Sequence, residues 1–96
     1  MLNNKKIAAV IPAFNTEKTL EKTLQAIPAG IVDFIIVVDD GSRDATAEIA
    51  KKNNVNLVSH EKNKGYGAAQ KTGYKEALRL GADVAVMVHS DFQYDP

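Results

Sequence analysis

The chain has no cysteine and no tryptophan in 96 residues, aromatic residues make up 6%, and 12 Lys and Arg balance 12 Asp and Glu. Without cysteine there is neither a disulfide framework nor a thiolate metal site, as fits a reducing compartment. Balanced charge, with no basic block longer than Lys5-Lys6 or Lys51-Lys52, argues against nucleic acid as a partner. No apolar run approaches the roughly 18 residues of a membrane span. The start, Met1-Leu2-Asn3-Asn4-Lys5-Lys6, leads into too short an apolar stretch before Pro12 to read as a targeting segment. The expectation is a soluble, cytoplasmic chain of one domain at most, with no repeat, linker or low-complexity segment.

What is present is an alternation of short apolar runs and helical stripes. Residues 7–11, 34–38, 55–59 and 84–88 read as strands, the first, second and fourth uniformly apolar, as in a parallel sheet buried on both faces. Between them, Leu20, Leu24 and Ile27 recur at helical spacing behind a cap at Asn15 or Thr16. A second helix carries Ala45, Ile49 and Ala50 behind Ser42 or Asp44 and ends at Asn53-Asn54. A third, over residues 65–80, places Tyr66, Ala69, Gly73, Ala77 and Leu80 on one stripe despite its internal glycine. The order β-α-β-α-β-α-β with short connections predicts an α/β fold, a right-handed, doubly wound, mainly parallel sheet.

Polar clusters fall at the strand-to-helix junctions: residues 12–17, 39–44, 63–67 and 89–95. In a parallel sheet these junctions share one edge, where ligands of open α/β sheets gather. A dinucleotide site is disfavoured, because Gly65-Tyr66-Gly67-Ala68-Ala69-Gln70 lacks the third glycine and follows the third strand, not the first. No Walker phosphate loop is present. Asp39 and Asp40 are adjacent like charges that raise one another's pKa unless a partner compensates: a base imide, a ribose hydroxyl, a metal or a lysine. One of them alone could simply open the Gly41-Ser42 turn. After the fourth strand, Asp91 is a hard oxygen donor suited to Mg²⁺ or Mn²⁺ and Gln93 offers a carbonyl oxygen; a solvated turn is the competing reading.

Taken together, these stretches resemble the nucleotide-binding half of a family 2 glycosyltransferase of GT-A fold. Val10-Ile11-Pro12-Ala13-Phe14-Asn15-Thr16-Glu17 is similar to the family's opening strand and turn, and Val37-Val38-Asp39-Asp40-Gly41-Ser42-Arg43-Asp44-Ala45-Thr46 to its most recognisable stretch. Asn63-Lys64-Gly65-Tyr66-Gly67-Ala68-Ala69-Gln70-Lys71 resembles its asparagine–glycine loop and third helix. His89-Ser90-Asp91-Phe92-Gln93-Tyr94-Asp95-Pro96 falls at its Asp-X-Asp metal motif. The resemblance implies a Rossmann-like GT-A fold that is incomplete here, with residues 1–96 as its nucleotide-sugar-binding part.

It also implies roles. Pro12, Ala13, Phe14, Asn15 and Glu17 border the nucleobase; Asp39 or Asp40, with Ser42 beside them, meets the base imide or ribose. Asn63 to Gly67 pass near the ribose and diphosphate, with Lys64 or Lys71 as phosphate partner, and Ser90 and Asp91 reach the diphosphate. Asp91, Gln93 and His89 would hold a divalent metal, Mn²⁺ or Mg²⁺. His89 stands where the family has the motif's first aspartate; its neutral imidazole suits transition metals better than Mg²⁺, so either Mn²⁺ is favoured, water replaces that ligand, or His89 meets phosphate directly. A weaker metal site, held mostly by Asp91, is expected.

By resemblance the reaction is inverting transfer of a sugar from a nucleotide diphosphate, with a lipid-phosphate acceptor faintly suggested by Gln93-Tyr94-Asp95-Pro96. Nothing in the 96 residues supplies an acceptor pocket or catalytic base, so this stretch alone is expected to be inert. An uncovered sheet edge beside residues 84–88 is expected to favour self-association. The alternatives are a non-catalytic nucleotide-binding or regulatory module and a phospho-acceptor domain, the latter weakened because its acid pair should follow the first strand.

Overall fold

The computed structural model describes residues 5–28, 30–53 and 55–89. Its elements run β1 (Ile7–Ala13), α1 (Leu20–Ala26), β2 (Phe34–Asp39), α2 (Thr46–Lys52), β3 (Asn56–Ser59), α3 (Tyr66–Arg79) and β4 (Val84–Met87). The strands form one four-stranded sheet in the order β3-β2-β1-β4. Every pairing is parallel, with Val10 opposite Ile36 on one side and Met87 on the other. The predicted alternation and the parallel sheet are both present.

Side-chain alternation along the strands divides the core in two. Ala8, Val10, Ile36 and Val38 face α3, which returns Ala69 and Ala77 to them. Ile11, Ala13 and Val37 face the opposite way, onto Leu20 and Leu24 of α1 and Ala50 of α2. Both faces are covered around β1 and β2, so those strands needed apolar residues at every position. Ile11, Leu20 and Ile36 are fully buried, each contributing about 1.5–3 kcal/mol.

Two details follow from close packing. β1 runs two residues past the predicted end, through Pro12. Val10 accepts from Val88 N and Ala13 from Asp40 N, so the N–H that Pro12 lacks would fall on the β4 side, where pairing has already ended at Met87. Within α3, a Cβ on Gly73 would sit 2.2 Å from Val10 Cγ1, so glycine lets the helix press directly on the sheet despite its poor helix propensity.

The helix starts differ from expectation. Neither Asn15 nor Thr16 caps α1: the helix begins after Thr19, and no side chain caps it. At α2 neither Ser42 nor Asp44 occupies the cap: the helix begins after Ala45 with no side-chain cap, while Asp44 Oδ1 accepts the Thr46 N–H from one residue further back. At the opposite end of the sheet, Asp33 accepts the Ile7 N–H at 2.8 Å and Asp83 the Lys6 N–H at 2.7 Å. Both aspartates secure the entry into β1.

Candidate functional site

The carboxyl ends of β1, β2 and β3 bring three loops together, and the first two brace each other. Asn15, in the left-handed region at φ 52°, donates its N–H to Ser42 Oγ while its own Oδ1 accepts from Arg43 N. Thr16 N donates to Thr46 Oγ1, Glu17 N to Asp44 Oδ2, and Glu17 Oε1 in turn accepts from Ala45 N. Asp39 is buried and its Oδ1 accepts the Ser42 N–H, closing the turn that follows β2. Asn15, Glu17, Asp39 and Ser42 are therefore gathered at this edge, the first two and Ser42 bracing one loop against the other and Asp39 closing its own turn.

Gly41 makes the turn possible. Its φ is +78°, and a Cβ would lie 2.6 Å from Asn63 N and 2.8 Å from the Lys62 carbonyl carbon. Only glycine both adopts that conformation cheaply and leaves room for the third loop.

Asp40 is the hub of the edge. It is 4% exposed; Oδ1 accepts from Lys64 N at 2.9 Å and lies 2.8 Å from His60 Nδ1, while Oδ2 accepts from Gly65 N at 3.0 Å. Burial alone would raise its pKa, but the Lys64 N–H, the His60 ring and the Gly65 N–H together outweigh it and hold the carboxyl below its ordinary 3.8. The compensating partner demanded by the adjacent aspartates is thus internal. Asn63, which the asparagine–glycine loop had pointed to, donates its Nδ2 to the Asp40 carbonyl at 3.3 Å; His60 was not singled out in the sequence. The available signal was a histidine immediately after the third strand, on the edge that carries the other polar clusters.

A pocket of about 230 Å³ opens here, lined by Pro12, Ala13, Phe14, Asp40, Asn63, Gly65, Tyr66 and Ala69. That is below the roughly 300–1,000 Å³ of drug-sized ligand sites. Gly65 precedes α3, whose first N–H groups have no intrahelical acceptor and favour an anion. Gly67 is in that first turn; Lys71, a turn further on, is exposed and does not line the pocket.

The β4 end is sparser. His89 stacks on Tyr66 with ring centroids 5.7 Å apart and 15° between planes. The Tyr66 hydroxyl lies 3.3 Å from His89 Nδ1 and 3.4 Å from Nε2, selecting neither nitrogen. Ser90, Asp91 and Gln93 lie outside the described residues. Among the described residues no group of three or more His, Asp or Glu gathers to hold a metal. One imidazole falls short of a divalent site, so the described residues alone do not constitute a metal centre.

β4 is also an outer strand of the sheet. Val84 and Val86 are 40% and 47% exposed on the α1 side, beside an apolar groove of about 550 Å³ that includes Ile27, Ile31 and Val88. Among the described residues no helix is long and apolar enough to cross a membrane.

The sequence profile described as Glycosyl transferase family 2 matches residues 8–96. The UDP-N-acetylglucosamine–dolichyl-phosphate N-acetylglucosaminyltransferase of Methanococcus voltae is 38% identical over 110 residues, covering 97% of this chain and 44% of that protein. The dolichol-phosphate mannosyltransferase of Pyrococcus furiosus is 34% identical over 98 residues, 95% of this chain and 27% of that one. Among solved structures, glucosyl-3-phosphoglycerate synthase of Mycobacterium tuberculosis in complex with Mn²⁺, UDP and glucosyl-3-phosphoglycerate superposes with a TM-score of 0.76 at 31% identity, over 92% of this chain and 34% of that one. The same enzyme was also solved with Mg²⁺ and UDP. The chain thus spans under half the length of these relatives.

Proposed function

The chain belongs to glycosyl transferase family 2, and we propose that its 96 residues form the nucleotide-sugar-binding part of an inverting glycosyltransferase. The observation that carries this reading is Asp40, a buried and ionised carboxylate lining a pocket at the carboxyl edge of the sheet. Its three donors leave one lone-pair direction on Oδ2 for a base imide N–H or a ribose hydroxyl. Pro12, Ala13 and Phe14 supply the apolar wall for that group, and Phe14, half exposed, offers a ring to stack on. The N-terminus of α3 beside Gly65 and Gly67 receives the diphosphate, with Lys71 further along as a longer-range cation. Asn15, Glu17, Asp39 and Ser42 act behind this surface by holding its loops.

Asp40 is suited to binding and not to proton abstraction, because its hydrogen bonds keep it a weak base. Among the described residues no other carboxylate lines the pocket. The acceptor site and catalytic base are assigned to the whole enzyme, with a lipid phosphate or a saccharide as acceptor, and the 96 residues alone to binding without turnover. Sugar transfer by this chain alone would overturn that assignment.

Asp91, with Gln93 and His89, is proposed to hold a divalent ion next to Ser90 and the diphosphate. Such an ion, when bound, neutralises charge on the departing diphosphate. The mycobacterial structures with Mn²⁺ or Mg²⁺ and UDP support this reading. Calorimetric titration of UDP with and without Mn²⁺ tests it: metal-enhanced affinity is expected, and unchanged Mn²⁺-dependent binding by Asp91→Ala would sink the metal assignment. Metal-independent binding would favour the nucleotide-binding or regulatory module instead.

Self-association through β4 rests on the exposed Val84 and Val86. Sedimentation across a concentration series tests it; a monomer throughout overturns it. A cytoplasmic location is proposed from the absence of cysteine.

A further inference from the structure

We infer that His60 is a positioning residue for the nucleotide pocket. It acts through Asp40 and without touching the ligand, an inference that rests on the pocket being the nucleotide site.

His60 ties three elements together. Its backbone N–H donates to the Asp39 carbonyl at 2.8 Å, which holds the exit of β3 beside the end of β2. Its ring then bridges two side chains: Nδ1 lies 2.8 Å from Asp40 Oδ1, and Nε2 lies 2.8 Å from Thr72 Oγ1 on α3. The ring is nearly buried, with its side chain 8% exposed, and Asp40's side chain is 5% exposed. With Asp40 ionised, Nδ1 carries the proton and donates. Nε2 accepts from the Thr72 hydroxyl when the ring is neutral and donates to it when the ring is protonated, so the bridge forms in either state.

The consequence is geometric. Asp40 grips Lys64 N and Gly65 N, the backbone that leads into α3 and lines the pocket with Asn63 and Tyr66. A carboxylate on a single-bonded stem is free to rotate about its own axis unless something outside that loop fixes it. His60 does so from the residue just past β3, and Thr72 anchors His60 to the same helix whose N-terminus faces the pocket. Removing the ring frees Asp40 to turn, and the loop then samples arrangements incompatible with ligand, whose affinity falls with the competent fraction.

The test compares variants at two sites. His60→Asn keeps a donor at the Nδ1 position, His60→Gln moves it to the Nε2 position, and His60→Ala removes both; Thr72→Val cuts only the far end of the bridge. UDP affinity is read by calorimetry, and local order by hydrogen exchange at the Lys64 and Gly65 amides relative to β1 amides. Expected are a roughly tenfold or greater loss of affinity and a similar rise in exchange at those two amides in His60→Ala and His60→Gln. His60→Asn should remain near wild type and Thr72→Val fall between. Equal behaviour of Asn, Gln and Ala at position 60 overturns the inference, because a packing role would not distinguish the first two. So does wild-type exchange at Lys64 and Gly65 in His60→Ala. If His60→Ala does not fold, the Asn and Gln variants carry the decision. If wild-type protein binds no UDP, the pocket reading falls, and exchange at the two amides alone decides whether His60 holds the loop.

Discussion

The two histidines of this chain occupy opposite ends of one sheet edge, and their surroundings differ in kind. His60 is nearly buried, is bonded through both ring nitrogens and sits in a region where each loop donates to or accepts from another. His89 is exposed, and its ring lies against Tyr66, whose hydroxyl lies at long hydrogen-bond distance from both nitrogens and selects neither. The contrast teaches that polar residues gathered at a ligand edge divide into those that hold the edge and those that face outward. Residue type does not distinguish them; bonding does.

The largest expected effect is on the held side. Asp40→Ala leaves Lys64 N, Gly65 N and His60 Nδ1 without their acceptor in a buried setting, and should cost about 3–5 kcal/mol by urea denaturation. A change below about 1 kcal/mol would mean that this region is no better braced than the β4 end. Next, Gly41→Ala should cost about 2–3 kcal/mol, because its Cβ meets Asn63 and Lys62 backbone at a left-handed φ.

Acid then separates the two ends by charge. Asp40 and Asp44 both have pKa values held below 3.8: burial opposes ionisation in each, and hydrogen bonds from Lys64, His60 and Gly65, or from Thr46 and Glu17, outweigh it. A depressed folded pKa contributes stability that is full above the unfolded value and is lost as pH falls through the folded one. Denaturation midpoints should therefore decline as pH drops below about 4, and Asp40→Asn should flatten that decline. The smallest effect is expected for His89→Ala, within about 0.5 kcal/mol of wild type, since it removes one exposed ring contact. A larger loss would show that Tyr66 and His89 form a structural clamp of their own.

The strands, the helices and their order were legible because each depends on neighbours along the chain: apolar runs for buried strands, three-to-four spacing for helices. The prediction for α3 differed from the observed helix by about one residue at each end. The helix caps were less legible. Asn15 and Ser42 have the chemistry of caps, but each found a partner in the other's loop, so neither caps the helix that follows it. Such bonds join residues 27 or 28 apart, and no local pattern announces them.

The parallel α/β sheet and the family follow from the chain alone, because hydrophobic periodicity and four ordered motifs are properties of the chain read in one dimension. So does the sharing of one edge by the polar loops, since parallel strands put every strand-to-helix junction on the same side. What each polar residue there is bonded to emerges with the three-dimensional fold. The fold made Asp40 a hub with an internal partner, brought His60 into a site whose motifs do not include it, and kept Lys71 outside the pocket lining. The physical reason is that hydrogen bonding and burial depend on groups far apart in sequence, whose distance is set only when the sheet and α3 close on each other.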